Sequence, residues 1–258
     1  MSSSSISQAQ TPVAQANTPY ILNSTGCSRE RPRVFFSAGR FLVWDALHVQ
    51  ALRVHRIVGA LIGALPMKKR QGAELGIPLL LLFEEVLLAL EEGLCEVVDG
   101  DSVLPPSGAA AQDDVGGTGF CPIMTSCCDW QADAISPLSV SAMRLAGAGR
   151  LVHAQIFRKL WECGFHVTNA AKFGGDFLVY DGDPFEHHAH LIIHVVPPAR
   201  QLRAAERVCA QRLAASVKKL AVLACMDGAS VSFTSLDAHS QIQPTDLRSL
   251  RATDNQRY

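Results

Sequence analysis

The chain has 258 residues, of which 48% are hydrophobic and 18% charged, and its formal net charge is −1. That apolar fraction excludes a wholly disordered chain and suffices for one or two domains with a substantial core. The charge balance provides no global basic excess, so any nucleic-acid binding has to rest on a local patch. The opening Met1-Ser2-Ser3-Ser4-Ser5 has neither the basic nor the apolar region of a secretory signal. No apolar run approaches the roughly 20 residues of a membrane span, so no membrane role is expected. Eight cysteines form no Cys-x-x-Cys pair. Neither a zinc ribbon nor a redox dithiol is indicated, and reduced thiols in an intracellular compartment are expected.

Residues 1–31, rich in Ser, Gln, Thr and Asn, read as a flexible tail. Residues 32–99 read as a small N-terminal α/β domain. Val34-Phe35-Phe36 and Phe41-Leu42-Val43-Trp44 are strands around a turn, and Asp45 is an N-cap for a helix running toward His55. Pro66-Met67-Lys68-Lys69-Arg70 is a basic loop. Glu84 to Glu92 is a second helix closed by Gly93, and Glu96-Val97-Val98 returns as a strand. Residues 100–143 hold Pro105-Pro106, Gly116-Gly117 and five Asp with no Lys, Arg or Glu, which is the composition of an acidic, low-order linker.

Residues 144–240 read as a second, mixed α/β domain, because helices and strands alternate. Arg150 to Cys163 sets Leu151, Ala154, Phe157, Leu160 and Trp161 on one helical face, with Gly164 as the stop. Phe177-Leu178-Val179-Tyr180 is a strand ending in the turn Asp181-Gly182-Asp183-Pro184. His188 to Val196 is a strand, Gln201 to Ser216 a helix, and Leu220 to Cys225 and Ser230 to Thr234 are strands. Residues 241–258 form a polar C-terminal tail, expected to fray.

The densest chemistry lies between Lys172 and His190, where two glycines, a Gly-Asp-Pro turn, Tyr180 and His187, His188 and His190 fall together. Alternation along a strand puts His188, His190 and His194 on one face. Downstream, Arg203, Arg207, Arg212, Lys218 and Lys219 oppose a single Glu206. Lys219 either continues the helical face of Arg212 or sits at the helix-to-strand junction. A Tyr, a His and a Lys in one pocket can cleave RNA without metal. The 2′-hydroxyl is the nucleophile, a base takes its proton, an acid protonates the leaving 5′-oxygen, and a cation stabilises the phosphorane. Histidine is the natural acid near neutral pH, whereas a tyrosine base, with a reference pKa of about 10, needs a neighbouring cation.

Lys172-Phe-Gly-Gly-Asp-Phe-Leu-Val-Tyr180, Gly182-Asp183-Pro184, His188-Ala189-His190, Arg212 and Ser216-Val217-Lys218-Lys219 resemble the catalytic signature of tRNA-splicing endonucleases. Gly39 to Trp44, Val58 to Pro66 and Leu75 to Leu81 resemble the eukaryotic subunit that cuts the 3′ splice site. The resemblance implies Tyr180, His188 and Lys219 as catalytic residues, Arg212 as an RNA-binding residue, and no metal or cofactor. It implies a restriction-endonuclease-like fold for the C-terminal domain. It also implies a nuclear heterotetramer of two catalytic and two structural subunits, acting on intron-containing pre-tRNA. An Arg and a Trp clamp a base in that family. Where the Trp is expected, after Thr234-Ser235-Leu236, this chain has Asp237-Ala238-His239.

Blander readings stand beside these. Tyr180 alone is a strand-end aromatic, Asp183 a turn residue, and Arg203 and Arg207 a solvated helix face. One rival function is a structural RNA-binding subunit whose active site has decayed, motivated by the missing Trp. The other is a metal-dependent nuclease, motivated by Asp176, Asp183 and the histidine face.

Overall fold

A computed structural model describes residues 21–22, 29–64, 75–100, 139–197, 200–228, 230–237, 241–243 and 246–247. The basic loop at Lys68-Lys69-Arg70, His239, and most of the two expected tails and of the expected linker lie outside the described residues. Within the expected N-terminal tail, Ile21–Leu22 (β1) pairs antiparallel with Arg29–Glu30 (β2).

The N-terminal domain begins with the anticipated hairpin of Arg33–Ser37 (β3) and Arg40–Val43 (β4), whose pairing puts Ser37 opposite Arg40. Ala38 and Gly39 both take positive φ, 48° and 74°, as a two-residue turn between twisted strands requires. Asp45 then caps helix α1 (Ala46–Val54), its carboxylate accepting the N–H groups of Leu47 at 2.6 Å and His48 at 3.3 Å. Two strands follow that the sequence did not announce, Ala60–Ala64 (β5) and Leu75–Leu81 (β6). They approach so closely that a Cβ on Gly63 would lie 1.8 Å from the Ile77 carbonyl oxygen. Helix α2 (Phe83–Glu91) and strand β7 (Glu96–Asp99) complete the unit. Its sheet has the order β5-β6-β4-β3-β7, with β3 and β7 parallel and the other pairs antiparallel.

Helix α3 (Val140–Ala146) falls partly inside the stretch expected to be linker, because Ser139 caps it by accepting the Ala142 N–H at 3.2 Å. Helix α4 (Leu151–Glu162) leads into β8 (His166–Asn169), β9 (Phe177–Tyr180) and β10 (Leu191–Val196). Helix α5 (Ala204–Ser216) crosses over to β11 (Leu220–Asp227), followed by β12 (Ser230–Ser235) and β13 (Gln241–Ile242). The sheet order is β13-β12-β11-β10-β9-β8, parallel only between β10 and β11, which α5 connects. The expected fraying from residue 241 does not hold at its start. Ile242 pairs with Phe233, and the Leu247 side chain is buried in the core.

The two α/β domains share one apolar core. Leu52, Leu79, Val86 and Leu88 from the first pack in the same cluster as Ile156, Phe157, Leu160 and Phe177 from the second. Charge pairs close the seam between α2 and the helices facing it. Arg158 forks onto Glu91 and Glu92 at 2.6 and 2.5 Å, Arg150 reaches the buried Glu84 at 2.7 Å, and Arg144 bonds Glu91. Arg56 lies over the Trp161 ring at 4.9 Å and donates to the Trp161 carbonyl at 3.0 Å, while the Trp161 indole donates to the His55 carbonyl at 2.8 Å.

Candidate active site

Three neighbouring strands place the three residues singled out by the sequence at one edge of the C-terminal sheet. Val179 pairs with Leu191 across β9 and β10, and Leu191 pairs with Leu220 across β10 and β11. Tyr180 is the last residue of β9, Lys219 directly precedes β11, and His188 lies in the loop that leads into β10. The His190 N–H bonds the Val179 carbonyl at 3.2 Å and the Leu220 N–H bonds the His190 carbonyl at 2.9 Å, so the ladder is continuous up to this edge.

Tyr180 packs with Phe173 and the buried Ala189 on a small cluster built from Leu178, Ile192, Ala214 and Ala221. The Lys219 ammonium stands over the Phe173 ring, 5.6 Å from its centroid, and donates to the Val217 carbonyl at 3.4 Å. Phe173 and Ala189 thus link the surroundings of the phenol, the histidine loop and the ammonium. The Thr168 hydroxyl lies 3.5 Å from the Tyr180 hydroxyl, a contact the sequence did not single out. Thr168 lies on β8, within a strand absent from the sequence expectation, so only the fold brings it there.

Lys219 sits at the helix-to-strand junction, because α5 stops at Ser216. The Lys218 N–H bonds the Ala215 carbonyl and the Lys219 N–H bonds the Ala214 carbonyl at 2.9 Å, which is the Schellman ending of a helix. Its left-handed position is normally glycine, yet Lys218 occupies it with φ 54°. Non-glycine backbone in this region is strained, and here the strained residue directly precedes the candidate electrostatic catalyst. Arg212 is exposed on α5, as a residue contacting RNA must be.

The loop after Tyr180 is a turn organised by Asp183. Its carboxylate accepts the Phe185 N–H at 2.9 Å, and its carbonyl accepts the N–H groups of Glu186 and His187 at 2.9 Å. A Cβ on Gly182 would meet the ring of the exposed His187 at 2.6 Å, so a larger residue there would have to turn that ring aside. His188 follows this turn and is exposed. The expected strand from His188 begins only at Leu191, so the alternation that was to align three histidines does not extend to His188 and His190. His190 lies 3.6 Å from Asp181 and near the Phe165 ring. His194 instead is close to Asp176, and burial pushes its imidazole pKa down against the pull of that carboxylate.

Asp176 has a positioning role in the fold. It accepts the Val195 N–H at 2.7 Å and lies 3.4 Å from the His153 imidazole. Burial alone would raise its carboxyl, but the bonds from His153 and Val195 outweigh burial and hold it below the usual range. Asp183 is engaged in its turn. Among the described residues no three His, Cys, Asp or Glu side chains converge as a metal ion requires. Among them also, no helix is long and apolar enough to cross a membrane.

Two family models match the chain. One, described as TSEN34-like, N-terminal domain, covers residues 32–100, and the other, the catalytic C-terminal domain of tRNA intron endonuclease, covers residues 151–233. The chain is 29% identical over 282 residues to human tRNA-splicing endonuclease subunit Sen34, spanning 72% of this chain and 91% of that protein. The mouse subunit Sen34 is 28% identical over 288 residues with the same coverage. The tRNA-splicing endonuclease of Methanopyrus kandleri is 39% identical over 72 residues, 28% of this chain and 40% of that one. With both domains matched in order along its length, this chain belongs to the tRNA-splicing endonuclease family, among its Sen34-like members.

Proposed function

We propose that this protein is the subunit that cleaves pre-tRNA at the 3′ splice site, within a nuclear heterotetramer containing a second catalytic subunit and two structural ones. Tyr180 takes the proton from the 2′-hydroxyl beside the scissile phosphate. The freed oxygen attacks phosphorus, and the bond to the 5′-oxygen breaks. His188 delivers a proton to that leaving oxygen, and the Lys219 ammonium stabilises the charge that builds on the phosphorane. Arg212, exposed on α5, holds RNA at the site. The products are a 2′,3′-cyclic phosphate and a 5′-hydroxyl, as expected of a lyase-type endoribonuclease.

What supports this mechanism is the strand register that brings the end of β9, the loop into β10 and the start of β11 to one edge, with Phe173 and Ala189 shared among them. The test is single-turnover cleavage of intron-containing pre-tRNA by the reconstituted complex. His188→Ala should leave RNA binding intact and abolish cutting at the 3′ junction. A scaffold subunit would leave that junction uncut in the wild type as well, and normal cutting by the variant would remove His188 from the mechanism.

A further inference from the structure

We propose that the N-terminal domain sets the position of the loop carrying His188, through a contact between Arg53 and Phe185, which makes Arg53 a positioning residue for cleavage. This inference rests on the catalytic assignment of His188 made above.

Arg53 sits in the last turn of α1, and its guanidinium carbon lies 4.3 Å from the centroid of the Phe185 ring, within the range of a cation–π contact. Phe185 is 68% exposed and stands three residues before His188. An aromatic ring that far out of the core gains little from burial, so its hold on the guanidinium carries much of its placement. The loop's own hydrogen bonds run from Phe185, Glu186 and His187 back to Asp183, so they shape the turn without tying it to the N-terminal domain.

The Arg53 Nε is buried without a hydrogen-bond partner, and Asp183 and Glu85 act on the guanidinium electrostatically. Burial lowers its pKa and those two carboxylates oppose the change, so the side chain stays a cation facing the loop. The end of α1 is held in turn by the mutual bonds of His55, Arg56 and Trp161 across the domain seam. A helix of one domain therefore supports the loop of the other that carries His188, as a catalytic group needs if small misplacement is to be avoided.

The test uses the assembled complex and single-turnover cleavage of pre-tRNA at saturating and limiting enzyme. Arg53→Met and Phe185→Leu should each slow the cleavage step about tenfold, the scale of a lost cation–π contact together with loosened alignment. Half-saturation and the pH of half-maximal rate should not move. The double variant should be no slower than either single one, and Arg53→Lys and Phe185→Trp should cut at close to the wild-type rate. Wild-type speed in Arg53→Met, additive losses in the double variant, or a loss confined to half-saturation would each overturn the proposal. Should Arg53→Met fail to fold, Phe185→Leu and Arg53→Lys carry the same comparison. His188→Ala in parallel separates the two claims. If it stops cleavage while Arg53→Met and Phe185→Leu do not slow it, only the positioning role fails. If it cuts normally, the catalytic assignment fails and this proposal with it.

Discussion

Replacing Glu85 with glutamine should remove a fall in stability that the wild type undergoes as pH rises from 5 to 8. Glu85 is fully buried, and its carboxylate accepts the N–H groups of Val58 at 3.0 Å, Gly59 at 2.8 Å and Leu82 at 2.8 Å. Loss of hydration pushes its pKa from 4.5 up to about 7, against the pull of these three donors, and neighbouring Glu84 adds to the rise. Between those two values the folded chain holds a proton that the unfolded chain has released. Stability is therefore greatest below the unfolded value and falls as pH rises toward 7. The full change corresponds to about 3 kcal/mol. Glutamine does not titrate, but it turns an NH2 group toward the Leu82 N–H that a carboxyl oxygen accepts in the wild type, at a cost of about 1–3 kcal/mol at every pH. Glu85→Gln should therefore be less stable than the wild type near pH 5 and gain about 2–3 kcal/mol on it by pH 8. Glu85→Ala does not titrate either, but it leaves three N–H groups without their acceptor, and should cost about 3–5 kcal/mol near pH 5 and about 2–3 kcal/mol less than that near pH 8. Urea unfolding of the three proteins from pH 5 to 8 decides the matter. Histidines titrate in the same window but are common to all three, so the difference between curves isolates Glu85. A wild type that gains on Glu85→Gln as pH rises would show that the backbone donors, not burial, govern this carboxyl.

Lys218→Gly relieves a left-handed residue at the end of α5 and should raise stability by about 0.5–1 kcal/mol, seen as a higher urea midpoint, whereas a lower midpoint would contradict the strain. Gly147→Ala would place a methyl group 1.8 Å from the Phe83 ring, forcing that ring off its packing between the domains. A loss of about 1–3 kcal/mol is expected in the same assay, and an unchanged midpoint would refute the close approach. Lys219→Met keeps the aliphatic stem but removes the charge. Single-turnover cleavage should fall by about 10²–10³ with pre-tRNA affinity little changed, and a purely proportional loss of affinity would assign Lys219 to binding instead.

Helix ends show why some of this fold was legible in the sequence and some was not. Helices α2 and α4 stop in Schellman turns at Gly93 and Gly164, with φ of 67° and 84°, and both stops could be read from the glycine. Helices α1 and α5 stop in the same hydrogen-bond pattern, but Arg56 and Lys218 take the left-handed position, with φ of 62° and 54°. No residue type announces those endings. Arg56 is compensated by the Trp161 contact on another element, which local sequence cannot display. The Asp45 cap and strand β9 were visible because their signals are local. Strands β5, β6 and β8 lacked alternation, and tertiary pairing rather than propensity makes them strands.

The candidate site divides in the same way. Tyr180, His188, Lys219 and Arg212 carry a spaced signature, so sequence singled them out. The Thr168 contact, the bridging role of Phe173 and the reach of Arg53 to Phe185 depend on register and domain packing. The expected histidine row failed because the strand begins only at Leu191, leaving His188 and His190 in the stretch between the Asp183 turn and β10.

A pre-tRNA carrying a single 2′-deoxyribose immediately 5′ of the 3′ splice junction tests the central chemistry most directly. Ribose attack on its own phosphate predicts that the reconstituted complex binds this RNA but leaves the junction intact, while the all-ribose substrate is cut in EDTA to a 2′,3′-cyclic phosphate and a 5′-hydroxyl. Cleavage of the deoxy-substituted junction at an unchanged rate would mean that water, not the ribose, is the nucleophile, and would contradict the roles given to Tyr180, His188 and Lys219.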